Sequence, residues 1–347
     1  AKKTLFENEK DESLYRNPKN KKPLRMLLRD DMWRFSRWYN KNLKNWLNRE
    51  KPTCIFVAPG TGKFLYNIAI KISKKYGLPI VTYICDDYYF VKGEKTLLGK
   101  RKLKLLKRKT EQLLAITKNI VTISKELEKS YSEKFNVNCR TIMTGSNYAI
   151  ADKAVFRNKI SSVTYMGNIR CNRYNSLADI GRTLDEINLE NETDYKLKIY
   201  TGEKNEEILN TLKKYKSIEL CGFVLGDEFD RIFHSADMLL HVEAFDEQGI
   251  DIVKYSVSTK IADSLGSGIC LFAYAPSCVS SMKHLIDNRC AICAVSENEL
   301  KSALINAFNN EKLRDETVKN ALITAHKYHD ENKISAEIYS VMTDCCK

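Results

Sequence analysis

Residues 256–274 read SVSTKIADSLGSGICLFAY, and the order of polar and apolar residues in this stretch decides the fold class. Ser258 and Thr259 are residue types that often begin helices, because their side-chain oxygens accept hydrogen bonds from the amides of the first turn. The pattern predicts a helix over 259–265 and then a buried strand over 269–274, where the run is apolar. A helix that leads directly into a buried strand is the repeating unit of α/β proteins.

Strand and helix patterns alternate in the same way along the rest of the chain. Such alternation predicts parallel sheets that are covered by helices on both faces. A polar stretch from Asp152 to Lys159 separates two halves, so we predict domains at 1–150 and 151–330 and a closing helix in 331–347. The predicted strands before residue 269 are 53–58, 80–85, 119–124, 140–143, 162–166, 196–200, 218–220 and 238–242, and the longest predicted helices are 24–49, 63–76, 97–117 and 312–328.

The composition is that of a soluble globular protein in a reducing compartment. The chain has 347 residues, which is enough for two cores, and no stretch approaches the roughly 20 apolar residues that span a bilayer. Residues 1–20 are polar and show no secretory signal. The eleven cysteines are scattered, and the pair Cys290 and Cys293 lies in an apolar run with no second pair, so we predict no metal site and a cytoplasmic location.

The charge is distributed unevenly between the halves. Residues 1–150 hold 33 Lys and Arg against 14 Asp and Glu, a net charge of +19, whereas residues 151–347 hold 24 against 30, a net charge of −6. Residues 92–109 alone contain nine basic residues and one Glu, with leucines at roughly helical spacing. A basic amphipathic helix suits an anionic membrane surface, although a solvated charged face has the same pattern. We find no nucleic-acid-binding motif and predict no nucleic-acid partner.

Four segments of the second half carry a resemblance, and they occur in one order over about 110 residues. Together they resemble the C-terminal domain of the retaining group 1 glycosyltransferases of the GT-B fold. Each segment alone is weak evidence, but the ordered set is fairly specific. The segments are Val163–Asn168, Glu219–Val224 with the following Phe229–Asp237, Leu239–Glu243, and Ser258–Asp263 with Gly268.

The first half is similar to the N-terminal domain of the same family, but more loosely. Ile120–Ser124 followed by a helix is similar to that domain's last strand and helix, and Ile84–Tyr89 is similar to a subset that acts in polysaccharide assembly. Nothing before Cys54 resembles the family's opening strand and Gly-rich loop. The resemblance implies an α/β fold of the GT-B type, with two Rossmann-like domains whose parallel sheets face each other across a cleft and a final helix that packs back on the first domain.

A sugar nucleotide carries a diphosphate, which needs positive charge and free backbone amides. The predicted helix start at Ser258 and Thr259 would supply the amides, and Lys260 would add a cation. Asp263 lies one turn further on the same face, where a carboxylate can accept hydrogen bonds from ribose hydroxyls. A plainly capped helix with a solvated Lys and Asp is the alternative interpretation.

Further donor-site residues follow from the resemblance. Gly167 and Asn168 would border the diphosphate, and Asn168 occupies the position of the family's usual Arg, which makes Arg173, or else Arg170, the candidate for stabilising the leaving group. Glu243 is a candidate catalytic carboxylate at a strand end. The three residues expected to border the nucleobase are Gly222, Phe223 and Val224.

Two motifs in the first half need a separate interpretation. Asp86 and Asp87 follow a strand and are predicted to orient the acceptor; they are adjacent, unlike a metal-binding DxD, and we assign no metal and no cofactor. Residues 60–63, Gly-Thr-Gly-Lys, imitate a phosphate-binding P-loop, but Val57 and Phe64 depart from that motif, which argues against a nucleoside triphosphatase.

The sequence therefore predicts a glycosyltransferase that moves a sugar from a nucleotide-sugar to a glycan or lipid-linked acceptor with retention, in surface polysaccharide assembly. It would be peripheral on the inner face of the membrane. Two alternatives stay open. One is a non-catalytic sugar-nucleotide-binding partner of an assembly complex, and the other is a GT-B sugar-nucleotide epimerase.

Overall fold

The computed structural model describes residues 23–91, 96–155, 157 and 159–347. These residues form two compact units. The first unit contains the residues up to Thr122, Lys129–Arg140 and Ser340–Lys347, and the second contains Ile123–Glu128 and Thr141–Tyr339. These limits fall near the boundaries predicted from the sequence but do not coincide with them.

The first unit is built on a four-stranded sheet in the order β1-β2-β3-β4. β1 pairs with β2 and β2 with β3 in parallel. Its core includes Tyr66, Ile80 and Leu113, each almost fully buried. The strands are β1 Ile55–Val57, β2 Ile80–Ile84, β3 Thr117–Thr122 and β4 Cys139–Thr141, and the helices are α1 Pro23–Phe35, α2 Lys41–Glu50, α3 Lys63–Tyr76, α4 Leu97–Leu114 and α5 Lys125–Phe135, whose first four residues belong to the second unit.

The predicted single helix over 24–49 is wrong, because the structure has two helices there. The Ser36 hydroxyl donates a hydrogen bond to Trp33 O (2.9 Å) just after α1 ends. The Asn40 side chain then accepts one from Leu43 N (3.0 Å) and caps α2. Short polar side chains that bond to nearby backbone compete with helix continuation, whereas the spacing of apolar residues carries no sign of this break.

The second unit is built on a six-stranded sheet in the order β10-β9-β8-β5-β6-β7. Each of its neighbouring strand pairs is parallel. This order is that of a dinucleotide-binding Rossmann sheet, in which the chain reverses direction across the sheet between two central strands, here β5 and β8. The strands are β5 Ser162–Met166, β6 Lys196–Tyr200, β7 Ile218–Gly222, β8 Leu239–Val242, β9 Leu271–Tyr274 and β10 Ile292–Ala294.

Two helices of the second unit, α9 and α11, were not anticipated from the sequence. Both have eight residues or fewer, which is too short for apolar periodicity alone; the equally short α10 was predicted from its first residues, Ser258 and Thr259. The helices are α6 Arg173–Asn191, α7 Glu206–Leu212, α8 Gly226–Ser235, α9 Glu247–Val253, α10 Thr259–Gly266, α11 Ser280–Asp287, α12 Glu297–Asn309 and α13 Glu311–Tyr328; a last helix, α14 Glu331–Cys346, begins in this unit and has its final residues in the first.

Apolar layers cover both faces of the six-stranded sheet. Phe272 and Tyr274 of β9 belong to one core cluster, and Leu271 and Ala273 belong to another. Successive residues of a strand point to opposite faces, so a strand that is apolar throughout must be covered on both. The predicted α/β class with two parallel sheets is confirmed.

The segment that follows β4 packs along α10. Ala151 N donates to Gly266 O (2.8 Å), and Val155 N donates to Gly268 O (2.7 Å). A Cβ atom on Gly268 would lie 2.7 Å from Lys153 O, and Gly268 has a positive φ of 75°. Glycine is therefore required where this segment approaches the end of α10.

A histidine pair, in which His329 is buried and His284 is half-buried, holds the end of α13 against α11. The Nε2 atoms of His284 and His329 lie 3.0 Å apart, and His329 Nδ1 lies 2.8 Å from Thr144 O. A carbonyl oxygen only accepts, so His329 carries its proton on Nδ1 and His284 donates from Nε2. Burial lowers the pKa of both rings, and it lowers that of His284 to about 3.

This pair predicts that acid destabilises the protein. A histidine whose folded pKa lies below its unfolded value of about 6.5 takes up a proton on unfolding, so stability falls as the pH drops below about 6.5. For His284 the loss of unfolding free energy at pH 5 is about 2 kcal/mol relative to pH 7.5. Urea unfolding between pH 7.5 and 5 measures this slope. The slope should be shallower in His284→Gln and unchanged in His326→Gln, an exposed control; equal slopes in all three proteins would contradict the prediction.

Candidate functional site

The carboxyl ends of β5 and β8 meet at the point where the strand order of the second unit reverses. Thr164 of β5 is in register with Leu239 of β8, so Met166 and Val242 end at the same edge of the sheet. Gly167 and Asn168 follow β5, and Glu243 follows β8. In open α/β sheets this edge is where ligands bind.

Arg173 and Glu243 form a buried ion pair at this edge. Arg173 Nε donates to Glu243 Oε2 (2.6 Å) and Nη2 donates to Oε1 (3.0 Å), a two-bond geometry that is specific for carboxylates. Their side chains are 17% and 5% exposed. Desolvation opposes the charge of Arg173, but the Glu243 carboxylate outweighs it and raises the pKa of the guanidinium. Arg173 Nη1 also donates to Asn168 Oδ1 (3.1 Å).

Arg173 is the first residue of α6, a position where the helix dipole disfavours a cation. Two residues with left-handed backbone, Cys171 (φ 55°) and Asn172 (φ 61°), make the turn that delivers it there. The Glu243 carboxylate compensates the local positive potential. Strain and an adverse dipole at one point are features of functional sites rather than of plain helix starts.

Lys260 lies in the first turn of α10, on the other side of the same strand ends. Its Nζ donates to Met166 O (2.6 Å) and lies 5.8 Å from the centre of the Tyr165 ring. Desolvation lowers the pKa of Lys260, and the charge of Arg173 lowers it further. A Cβ atom on Gly167 would lie 1.9 Å from Lys260 Nζ, so a larger residue there would displace the ammonium.

Ser258 precedes α10 with extended backbone, as a residue at the helix N-cap does. Within the described part of the chain its side chain makes no capping hydrogen bond to the first turn. The first amides of a helix have no acceptor inside the helix, and they carry a partial positive charge. The start of α10 therefore presents amides next to the ammonium of Lys260.

Two cavities meet at Asn168 and Lys260, which border both. The first, of about 300 Å³, is bordered by charged and hydroxyl side chains, and the second, of about 330 Å³, by a more apolar wall. The first can hold an anion and polar hydroxyls, and the second can hold a flat ring. Besides the shared pair, the first is lined by Arg173, Glu243, Ser258, Thr259, Tyr165 and His241 among others, and the second by Gly167, Arg170, Thr201, Gly202, Phe223, Val224 and Phe229 among others.

The aromatic wall of the second cavity depends on the close approach of the Phe223 ring to Gly202. Phe223 is 65% exposed, and its ring lies over Gly202, where an added Cβ atom would come within 3.2 Å of the ring. Gly222 ends β7 with a φ of 82° and turns the chain so that Phe223 and Val224 border the cavity. An exposed ring held in this way offers a face on which a heterocycle can stack.

Asp263 lies three residues beyond Lys260 in α10 but lines neither cavity. It is buried, and its carboxylate accepts hydrogen bonds from Asn147 N (2.7 Å) and Asn147 Nδ2 (3.0 Å). Ser146 Oγ donates to it as well (3.3 Å). The structure thus brings Gly167, Asn168, Arg173, Glu243, Ser258, Thr259 and Lys260 together, but it engages Asp263 with a different partner.

Asp86 and Asp87 follow β2 in the first unit. Asp87 Oδ1 accepts from Tyr89 N (2.9 Å) and Phe90 N (2.8 Å), which shapes the loop after the strand. Burial raises the pKa of the Asp87 carboxyl. Their role toward an acceptor stays a prediction.

The segment that imitates a P-loop is occupied from within the first unit. Lys63 begins α3, and its backbone N donates to Asp30 Oδ2 of α1 (3.3 Å). The Lys63 ammonium lies 4.0 Å from the same carboxylate. Asp30 therefore stands where a phosphate would have to bind.

Part of the predicted basic stretch 92–109 lies outside the described residues, namely 92–95. From residue 97 the stretch belongs to α4, whose Leu106 and Leu113 are buried in the core. Leu97 is 84% exposed. Four basic side chains are exposed along the helix: Lys100, Arg101, Lys104 and Arg108.

Several residues of the site were not singled out from the sequence. His241 is buried beside the first cavity, where desolvation lowers its pKa, and its Nε2 lies 3.2 Å from Ser281 Oγ. Tyr165 donates to Asn168 O (2.5 Å) and so orders the turn after β5. Gly202 could have been found, because a glycine two residues after a predicted strand can mark a close approach of the backbone. His241 sits inside an apolar strand and gives no such signal.

Comparison with solved structures shows the fold. The chain is similar to the sucrose-phosphate synthase of Thermosynechococcus elongatus (11% identity, TM-score 0.63, covering 91% of this chain and 79% of that one). It is also similar to Anabaena HepE, solved with UDP and glucose (10%, TM-score 0.62, covering 87% and 80%), and to WaaG, a glycosyltransferase involved in lipopolysaccharide biosynthesis (13%, TM-score 0.56, covering 83% and 84%). No protein-family model and no curated protein matches the sequence. The structural neighbours are GT-B glycosyltransferases, and this chain has the GT-B fold.

Membrane-spanning helices and metal-binding clusters can be assessed for the described residues. Residues 23–91, 96–155, 157 and 159–347 contain no helix with the length and apolar character that crossing a membrane requires. The same residues contain no group of three or more His, Cys, Asp or Glu side chains placed to hold a metal ion.

The geometry predicts strong energetic coupling between Arg173 and Glu243. Removing one partner leaves a buried charge unpaired, so Arg173→Ala and Glu243→Ala should each lower the unfolding free energy by about 3 kcal/mol. The double variant should lose clearly less than the sum of the two. Denaturant unfolding of the four proteins measures the cycle.

A matched control exists on the same helix. Arg182 of α6 pairs with Glu297 at the surface, where its side chain is 39% exposed, and this cycle should give about 1 kcal/mol or less. Additive losses at Arg173 and Glu243 would show that the two side chains do not stabilise each other.

Proposed function

We propose that the protein is a glycosyltransferase whose second unit binds a nucleotide-sugar. The observation that carries this proposal is the convergence of Arg173, Glu243 and Lys260 on one cavity, next to a second cavity with an aromatic wall. The pair of cavities matches a ligand with a charged middle, a polar end and a flat heterocycle. The GT-B neighbours include HepE in complexes with UDP and glucose and with UDP-glucose, which supports a donor of this class.

In the proposed complex the diphosphate lies between the start of α10 and the start of α6. Amides of two helix N-termini, the Lys260 ammonium and the Arg173 guanidinium would face it. Phe223 and Val224 would border the base. Glu243 and Asn168 hold Arg173 in place, so the cation is oriented before the ligand binds.

The proposed reaction exchanges one bond at the anomeric carbon. The bond to the diphosphate oxygen breaks, the nucleoside diphosphate leaves with the electron pair, and an acceptor hydroxyl forms the new bond and passes its proton to the departing diphosphate oxygen. Arg173 and Lys260 would stabilise the charge that develops on the leaving group, an effect worth a few kcal/mol per donor. We propose retention at the anomeric carbon, no metal and no cofactor, since two cations already face the diphosphate.

The acceptor side is assigned to the first unit. Asp86 and Asp87 would orient the acceptor, which we propose to be a glycan or a lipid-linked glycan in surface polysaccharide assembly. The exposed basic residues of α4 would hold the protein, as a peripheral protein, on the anionic inner face of the membrane. The net charge of +19 on residues 1–150 supports attachment of this part of the chain to an anionic membrane.

Two observations favour a second candidate, a non-catalytic protein that binds sugar nucleotides. Asp263, which the sequence suggested as a ribose ligand, is held by Asn147, and Asn168 stands where the family has Arg. A binding protein would keep the nucleotide contacts without turnover. The epimerase alternative has less support, since the residues that line these two cavities include one histidine, His241.

The donor site is tested with a panel of UDP-, GDP- and ADP-sugars. We expect one of them to raise the melting temperature and to release its nucleoside diphosphate when an acceptor is present. Lys260→Ala and Arg173→Ala should each reduce kcat/KM by about 100-fold, because charge stabilisation in the transition state is lost. Lys319→Ala, which removes an exposed lysine from α13, is the control and should leave kcat/KM unchanged.

The outcomes separate the candidates. A thermal shift without release of nucleoside diphosphate would favour the binding protein. The absence of any shift with the whole panel, or equal activity in all variants, would refute the assignment of the donor site.

Membrane attachment is tested by sedimentation with phosphatidylserine vesicles. Replacing Lys100, Arg101, Lys104 and Arg108 by Gln should weaken binding by at least 100-fold, since each basic residue contributes about 1 kcal/mol. A control variant removes the same charge from exposed lysines elsewhere, and it should bind as the wild type does. If both variants lose binding equally, α4 is not the attachment site. The control lysines are Lys312, Lys319, Lys327 and Lys333.

A further inference from the structure

Helix α10 carries a buried carboxylate whose hydrogen-bond donors come from another part of the chain. Asp263 is 9% exposed. Its Oδ1 accepts from Asn147 N (2.7 Å) and Ser146 Oγ (3.3 Å), and its Oδ2 accepts from Asn147 Nδ2 (3.0 Å). Hydrogen bonds to an ionised, buried carboxylate are stronger than neutral ones. The contact therefore joins α10 firmly to residues 116 positions earlier in the chain.

The contact is one point of a longer attachment. We call residues 144–155, which follow β4, the linker segment. Downstream of Asn147 this segment bonds to the end of the helix, through Ala151 N to Gly266 O and Val155 N to Gly268 O. Upstream, it is held by His329, whose backbone oxygen accepts from Ser146 N (2.9 Å) and whose ring bonds to Thr144 O.

Because Lys260 and Asp263 lie close together in α10, a movement of one is expected to affect the other. Lys260 and Asp263 are three residues apart, which is less than one turn of a helix of eight residues. A displacement of the helix start by a ligand must either move Asp263 or stretch its bonds to Asn147. Because the helix has only eight residues, we expect a displacement of its start to be transmitted to Asp263.

We infer that Asp263 is a positioning residue that couples the donor site at the start of α10 to the linker segment. Binding of a nucleoside diphosphate at Lys260 would then tighten residues 144–155, and the linker segment in turn would hold Lys260 in its binding position, since coupling between two sites is reciprocal. This inference rests on the proposed function, because the ligand is the diphosphate part of the donor. It replaces the role of ribose ligand that the sequence suggested for Asp263.

The chemistry of the contact selects the variants. Asp263→Asn keeps the size of the side chain but removes its negative charge, so the hydrogen bonds that Asn147 and Ser146 donate to it lose their charge-assisted strength. Asn147→Ala removes a single donor from the opposite side and leaves the carboxylate bonded to Asn147 N. Asp287→Asn, at the exposed end of α11, is the matched control.

The test is hydrogen exchange of the linker segment with and without nucleotide. UDP, GDP and ADP are first screened by calorimetry, and the tightest binder is used. In the wild type and in Asp287→Asn we expect the nucleotide to slow exchange of the amides in 144–155. In Asp263→Asn and Asn147→Ala the slowing should be reduced or lost, and Kd should rise by about tenfold in Asp263→Asn, within the usual range of coupling.

The outcomes distinguish this inference from the proposed function. If none of the nucleotides binds the wild type, both are overturned. If a nucleotide binds but exchange of 144–155 is unchanged, the coupling is overturned and the donor site stands. A loss of melting temperature in Asp263→Asn with the same nucleotide-dependent slowing as the wild type would show a merely structural role. If Asp263→Asn fails to fold, the comparison of the wild type with Asn147→Ala tests the coupling.

Discussion

The buried ion pair between Arg173 and Glu243 is the constraint on which the candidate site depends. The two residues follow neighbouring parallel strands, and each is placed where it would be unfavourable without the other: a cation at a helix start and a carboxylate that is 5% exposed. Their hydrogen bonds orient the guanidinium, and the Glu243 carboxylate partly neutralises its charge. What remains for a ligand is one face of Arg173, the ammonium of Lys260 and the amides of two helix starts.

Lys260 stands where the polar and aromatic cavities meet. Its ammonium rests on a backbone oxygen and near an aromatic ring, and its pKa is lowered because desolvation penalises the charge. A cation that is poorly solvated gains more from an incoming anion than one that is fully hydrated. The glycine after β5 is part of the same arrangement, because a side chain at that position would occupy the place of the ammonium.

The helix α10 serves two purposes because of its short length. Its start presents amides and Lys260 to the cavities, and its middle and end bond to the segment that follows β4. Small residues allow this segment to lie close to the helix end, and a glycine with positive φ is required at 268. Gly266 and Gly268 are thus explained by packing, while Ser258 to Lys260 border the first cavity.

The sequence by itself determined the elements and the fold class. Helix α3 was predicted at its observed bounds, and the strands β5 and β6 likewise, because apolar periodicity, caps and glycine stops are local properties of the chain. The sequence did not predict the break at Ser36 to Asn40 or the short helices α9 and α11, because each involves too few residues to produce a periodic pattern of apolar residues. Only the tertiary structure decided which carboxylate borders the cavities: Glu243 lines the first cavity and meets Arg173 from 70 positions away, whereas Asp263 meets Asn147 from 116 positions away. The role of a carboxylate is set by the partners that folding brings to it, and those partners are not neighbours in the sequence.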